Sequence, residues 1–165
     1  SAGVYRVAAF GAIDAEAWDE VLAINLRGVF LSGRAVARRL VEAGRPGAIV
    51  NLGSTAALRS DAAEPSAHYN ASKAGVIAVT QQLAVELAPH GIRVNAVSAG
   101  VVETEALGVF PNGDEMLAMS RARTPAGRLV EPGDVAGAVT FLCSPAAEMV
   151  RGQTLVVDGG FSLLA

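Results

Sequence analysis

The 165-residue sequence predicts an α/β fold in which a parallel sheet is covered by helices. Three observations carry that prediction. Short apolar runs of strand length alternate with longer segments of helical periodicity. Glycine and proline stand at the joints between them. Apolar residues make up 52% of the chain and charged residues 18%, enough to bury a core over a single domain spanning 1–165.

The elements follow in order. Asp14 to Ala43 reads as one long helix. Asp14 is its N-cap, and Glu16 and Asp19 sit in or near the first turns, where negative charge suits the helix dipole. Its apolar stripe runs Trp18, Leu22, Val29, Val36 and Leu40, and Gly44, Pro46 and Gly47 stop it. Ala48–Leu52 is a buried strand, and Gly53–Ser66 is a loop rich in small residues. Tyr69 to Ala88 is a second helix, whose inward stripe runs Tyr69, Lys73, Val76, Thr80, Leu83 and Leu87. Arg93–Ser98 is the second strand. Gly100–Pro125 is irregular, with a helix around Glu115–Arg121. Pro132–Cys143 is a third long helix with proline in its first turn. Thr154–Val157 is the last strand, closed by the turn signal Asp158-Gly159-Gly160.

Composition narrows the function classes. The net charge is −3 and no cluster of Lys and Arg stands out, so no nucleic-acid partner is expected. No apolar run reaches the length of a membrane span. The first residues lack the charged start and apolar block of a signal peptide, and a cytoplasmic location is the expectation. Cys143 is the single cysteine; it cannot form an internal disulfide and is read as buried apolar filler. No metal site is expected.

Chemistry concentrates at Tyr69 and Lys73. Lys73 is the sole lysine among 13 basic residues, and Arg does not substitute for its compact ammonium. Tyr69 lies four positions earlier, so the two side chains share one helix face, and that face is the inward one. A lysine turned inward needs a partner or a cavity. A phenol with an ordinary pKa of about 10 is a poor acid or base near neutrality. A neighbouring ammonium stabilises the phenolate and is expected to lower that value. The pair can then give a proton to a carbonyl oxygen or take one from an alcohol. The alternative is a core tyrosine beside a snorkelling lysine.

Supporting residues follow from position. Ser54 stands at the carboxyl end of the Ala48–Leu52 strand, where ligands sit in open α/β sheets; its alternative is a loop-capping serine. Asn25 lies on the apolar stripe of the first helix, and a buried amide there needs ordered water or a special backbone site. Gly100 follows the second strand and lets backbone come close to a ligand, with Thr104 four residues on.

These residues resemble the short-chain dehydrogenase/reductase family. Tyr69-Asn70-Ala71-Ser72-Lys73 is similar to its Y-x-x-x-K signature, and Ile49-Val50-Asn51-Leu52-Gly53-Ser54 to its strand ending in the catalytic serine. Asn25-Leu26-Arg27-Gly28-Val29-Phe30 resembles the segment bearing its catalytic asparagine. Arg93–Gly100 resembles the strand leading to its Pro-Gly turn, with Ala99 in the proline's place. Arg151-Gly152-Gln153 with Asp158-Gly159-Gly160 resembles the C-terminal signature, and Ser1-Ala2-Gly3 the end of the Asn-Asn-Ala-Gly turn. The motifs lie in the family's order along the whole chain.

The resemblance implies a doubly wound parallel sheet of Rossmann type, an NAD(P)(H)-dependent oxidoreductase, and a role for each residue. Tyr69 is the general acid/base. Lys73 holds the nicotinamide ribose and lowers the phenol's pKa. Ser54 hydrogen-bonds the reacting oxygen, and Asn25 holds a water in a proton relay. Gly3, Gly100, Val102 and Thr104 join Tyr69 and Lys73 at the cofactor. The family's Gly-rich phosphate loop is absent, which implies that the N-terminal βαβ units are missing from this chain.

The C-terminal segments Glu103-Thr104-Glu105-Ala106-Leu107, Phe110-Pro111-Asn112, Thr124–Arg128 and Arg151–Thr154 resemble NADPH-dependent enoyl-acyl-carrier-protein reductases. Those enzymes separate Tyr and Lys by six residues, and here Ser66 stands where that tyrosine belongs. The spacing instead favours carbonyl reduction, with a 3-oxoacyl thioester or similar ketone as substrate; NADPH is favoured over NADH by analogy alone. A second hypothesis is a non-catalytic remnant that acts through assembly surfaces. The resemblance implies a homodimer or homotetramer through helices 14–43 and 69–88. An exposed apolar edge on the Ala48–Leu52 strand implies poor solubility or oligomerisation.

Overall fold

The structure is a computed structural model that describes residues 3–102 and 113–164. Three strands form one sheet in the order β1 (Gly47–Leu52), β2 (Ile92–Ala99), β3 (Thr154–Val157), and both pairings are parallel. Helices α1 (Ala15–Leu22) and α2 (Gly28–Glu42) precede β1. Helix α3 (Ala67–Leu87) joins β1 to β2. Helices α4 (Gly113–Ala122) and α5 (Pro132–Cys143) lie between β2 and β3.

Period-two alternation explains how both faces of so short a sheet are covered. Ile92 and Val94 turn to one side and pack with Ala84, Leu83 and Leu87 of α3, Leu40 of α2 and Ile49 of β1. Val97 turns to the other and packs with Leu142, Val135 and Val139 of α5, Val50 and Leu52 of β1 and Val157 of β3. Helices therefore cover both faces of a parallel sheet, the doubly wound arrangement expected. β2 is central and almost wholly buried. β1 lies at one edge, paired to β2 alone among the described strands.

The predicted elements appear with small changes at their ends. β3 and α5 match residue for residue, and β1 and β2 are longer by one to two residues. Asp14 accepts a 2.8 Å hydrogen bond from Ala17 N, as an N-cap should. Gly44 takes φ 60° just past α2, the left-handed position that glycine fills at a helix end.

Four expectations need correction. The predicted first helix is interrupted at Ala23–Arg27 by a π-helical segment. The buried line runs Val21 and Asn25, and past the shift in phase Gly33 and Ala37, while Trp18 and Val36 stay 38% and 49% exposed. On α3 the most buried line is His68, Ser72, Val76, Thr80 and Ala84. Tyr69 and Lys73 sit one position round from it, half-buried and facing the carboxyl end of β1 rather than the core. The loop after β1 carries a short 3-10 turn at Thr55–Ala57. Cys143 is exposed at the end of α5, where Leu142 fills the core instead.

Two polar clamps fix the C-terminal third. Arg93 on β2 donates to the carbonyls of Leu142 (2.6 Å), Ala147 (3.0 Å) and Ser144 (3.2 Å), closing the C-terminal end of α5. Asn95 donates to Val150 O and accepts from Gln153 N, setting the path into β3. Gly100 ends β2 against the turn after β3. A Cβ there would lie 2.8 Å from Asp158 Cβ and 3.1 Å from its Cα. Because the clash involves backbone, G100A is expected to lower stability by about 1–3 kcal/mol, read as a lower melting midpoint. An unchanged midpoint would show that the 158–160 turn can shift freely.

Candidate active site

The site is assembled at the carboxyl end of β1 from three segments of chain. Gly53 leaves β1 so close to β2 that an added Cβ would lie 2.6 Å from Ser98 Oγ. Ser54 follows in extended conformation. Its hydroxyl accepts from Ala56 N at 3.2 Å and lies near enough to the Tyr69 phenol to favour its charged form. The loop-capping role foreseen as the alternative is filled, and the same hydroxyl stands beside Tyr69. The first turns of α3 bring Tyr69 and Lys73 over this end of the strand. Lys73 Nζ donates to Leu52 O at 3.1 Å and lies 5.7 Å from the centre of the Tyr69 ring.

Electrostatics follow from burial. Burial pushes the Tyr69 phenol above its ordinary range, and the hydrogen bond from Ser54 pulls it part of the way back. Burial also lowers the Lys73 ammonium. The expected downward pull of Lys73 on the phenol is outweighed: the ammonium is turned to the Leu52 carbonyl, and desolvation disfavours both charged forms.

Asn25 occupies the π-helical segment, the special backbone site its buried position called for. Its amide spans Val4 on both sides: Oδ1 accepts from Val4 N and Nδ2 donates to Val4 O, each at 2.8 Å. Nδ2 also donates to Ser72 Oγ at 3.2 Å, and Ser72 Oγ donates to the Tyr69 carbonyl at 2.7 Å. One amide thus ties the segment entering the site to the turn that carries Tyr69.

That tie places residues that sequence reasoning missed. Tyr5 follows the clamped Val4, and its ring meets the Tyr69 ring edge-on, with centroids 4.8 Å apart and planes at 73°. Its hydroxyl donates to Glu64 Oε2 at 3.1 Å. Burial first and the Glu64 charge second keep this phenol protonated far into the alkaline range. Tyr5 is one of only two tyrosines in the chain, which was a usable signal; Ser72 offered none.

The remaining expected residues separate. Gly3 lies beside Asn25, and a Cβ there would be 3.4 Å from its Oδ1. Gly100 owes its small size to Asp158 as described. Val102 pairs with Val130 in an isolated parallel bridge, just beyond β2. Thr104 lies outside the described residues. On the far side of the loop, Asp61 pairs with Arg59 (2.9 Å) and Arg123 (3.1 Å), and both guanidiniums pack on Phe161. This pins the loop between Ser54 and Tyr69 to the C-terminal turn.

Comparison with known proteins places this geometry. A family model described as enoyl-(acyl carrier protein) reductase matches residues 1–162. D-threitol dehydrogenase of Mycolicibacterium smegmatis is 44% identical over 99% of this chain and 61% of its own length. The 3-oxoacyl-acyl-carrier-protein reductase FabG of Vibrio cholerae is 37% identical over 99% of this chain and 64% of its own length. The chain thus spans about three fifths of these curated relatives. Among solved structures, a short-chain type dehydrogenase/reductase from Mycobacterium marinum superposes with TM-score 0.90 at 34% identity, over 97% of this chain and 62% of that one. A gluconate 5-dehydrogenase from Burkholderia cenocepacia, in complex with NADP and tartrate, gives 0.87 at 34%, over 99% and 63%.

Proposed function

The chain belongs to the short-chain dehydrogenase/reductase family, and from that premise we propose that it acts in hydride transfer between NADP or NAD and a carbonyl or alcohol, with Tyr69 moving the proton. The observation that carries this reading is the convergence of Tyr69, Ser54 and Lys73 at the carboxyl end of β1. A bound nicotinamide would supply or accept the hydride.

The chain's own residues do the rest. Lys73 has three N–H donors and spends one on Leu52 O, so two remain for a group rich in hydroxyl acceptors such as the nicotinamide ribose. Gly3, Gly100, Val102 and Thr104 are assigned to the same cofactor by resemblance. In reduction, Tyr69 gives its proton to the substrate oxygen; in oxidation it takes one. Ser54, beside the phenol, donates to the same oxygen and holds it in line. Asn25 keeps Val4 and the Tyr69 turn in register, and a relay water is assigned to it by resemblance. NADPH is the first choice of cofactor.

Carbonyl reduction of a 3-oxoacyl thioester, or oxidation of a polyol, both fit the relatives named above. The description of the matching family model favours enoyl reduction as the second reading, and the four-residue step from Tyr69 to Lys73 speaks against it. The partner expected is a second copy, docking through α1–α2 and α3. Support comes from apolar side chains left exposed there, among them Phe30, Leu31, Val36 and Val85.

The test is a pH profile of alcohol oxidation with NADP and NAD. Rate is expected to rise with pH as Tyr69 loses its proton, with the limb on the alkaline side because burial raises the phenol. S54A removes the hydrogen bond that lowers it, so the limb moves to higher pH, and turnover falls about a hundredfold. A limb moved to lower pH would overturn the assignment of Ser54. No turnover of alcohol, ketone or 3-oxoacyl thioester with either nicotinamide would favour the non-catalytic remnant.

A further inference from the structure

We propose that Glu64, held by Tyr5, is a specificity-determining residue that reads a hydroxyl next to the reacting carbon, which makes the substrate a neutral vicinal diol or polyol. The proposal rests on the reading above that Tyr69 handles the reacting oxygen.

The argument is a matter of donors and acceptors. The Tyr5 ring stands against the Tyr69 ring at 4.8 Å, so the side chain that holds Glu64 borders the one that handles the reacting oxygen. Its hydroxyl stays protonated and is committed as donor to Glu64 Oε2. Glu64 is half-buried, and its carboxylate has acceptor capacity beyond that single bond. The position adjoining Tyr69 thus offers acceptors and negative charge. A substrate must bring an O–H donor to meet them. A vicinal diol does so. Beside the ketone of a 3-oxoacyl thioester stand methylenes, the thioester beyond them offers only acceptors, and a carboxylate substituent would be repelled. A site built to hydrogen-bond a hydroxyl discriminates strongly against an analogue that lacks it, because its own polar group is left unmatched. The Asn25 clamp on Val4 and the Ser66 hydroxyl bonded to Glu64 O fix both partners.

Two measurements on the whole protein decide this, with threitol as the diol and isopropanol as the monoalcohol. In nitrogen-resolved NMR, threitol is expected to shift the Tyr5 and Glu64 amides in a saturable way, and isopropanol is not. E64A should weaken threitol binding about tenfold or more, while Y69F retains it. In turnover with NADP, the preference for threitol over isopropanol should fall by a similar factor in E64A. Y5F, which keeps the ring contact with Tyr69, should retain a preference for the diol. Equal binding of both alcohols, or an unchanged preference in E64A, overturns the proposal. If neither alcohol is oxidised, the hydride-transfer reading fails by itself, and the binding comparison still decides whether Glu64 reads a diol.

Discussion

The Y69F variant is expected to lose about a hundred- to ten-thousandfold in turnover, the range for removing a positioned acid/base. Phenylalanine retains the edge-on contact with Tyr5 and loses only the hydroxyl beside Ser54. The fold should therefore survive, with a stability change of about 1 kcal/mol, because a single half-buried hydroxyl is removed and Ser54 keeps Ala56 N as a partner. Nicotinamide binding should be nearly unchanged, since Lys73 is untouched. Residual oxidation should lose its alkaline limb, because the group that titrates is gone. The measurement is a pair of steady-state pH profiles alongside a calorimetric titration with NADPH. Activity within tenfold of the parent would remove Tyr69 from the proton transfer and leave it a packing residue.

A second large effect is expected far from the chemistry. Arg93 is 9% exposed, and its guanidinium faces three carbonyls at the end of α5, with no carboxylate partner among the described residues. The charge is met by the negative end of the helix dipole and by those three oxygens. R93M leaves the carbonyls of Leu142, Ser144 and Ala147 without their donor, at a cost of about 2–5 kcal/mol in unfolding free energy. R93K should fall between the two, since one ammonium cannot span carbonyls that a planar fork reaches together. Urea unfolding at constant m-value measures this. A loss below about 1 kcal/mol would show that water replaces the guanidinium at no net cost.

The fold was legible in the sequence because both faces of the sheet are covered. A strand with helices over both faces is apolar nearly throughout, so Ala48–Leu52 and Thr154–Val157 stood out as continuous runs, although both are edge strands and Leu155 and Val156 stay 37% exposed. Punctuation was legible for the same local reason: Asp14, Gly44 and Pro132 act through bonds and dihedrals within a turn or two of themselves. The phase within the helices was not. Five π-helical residues rotate everything that follows, and period counting assumes that no such segment exists. Val36 was lost to that shift; Trp18 stands before it and is exposed because Val21 and Asn25, not the Trp18 line, face the core. Cys143 was misplaced because a cysteine and a leucine next to each other on a helix cannot both face the core, and the side is settled by the sheet beneath.

The candidate site divides along the same line. Tyr69 and Lys73 share one helix, so their juxtaposition is a property of spacing alone, and the sequence by itself determined it. It also determined that Asn25 needed an unusual environment, since a buried amide cannot go unpartnered. Only the tertiary structure decided which partners answer that need. Val4 and Ser72 lie 21 and 47 positions from Asn25, Tyr5 meets Glu64 across 59 positions, and no periodic pattern links them. It also decided the direction in which the Tyr69 phenol shifts: sequence supplies the neighbouring lysine, but desolvation depends on what the whole chain packs around the ring.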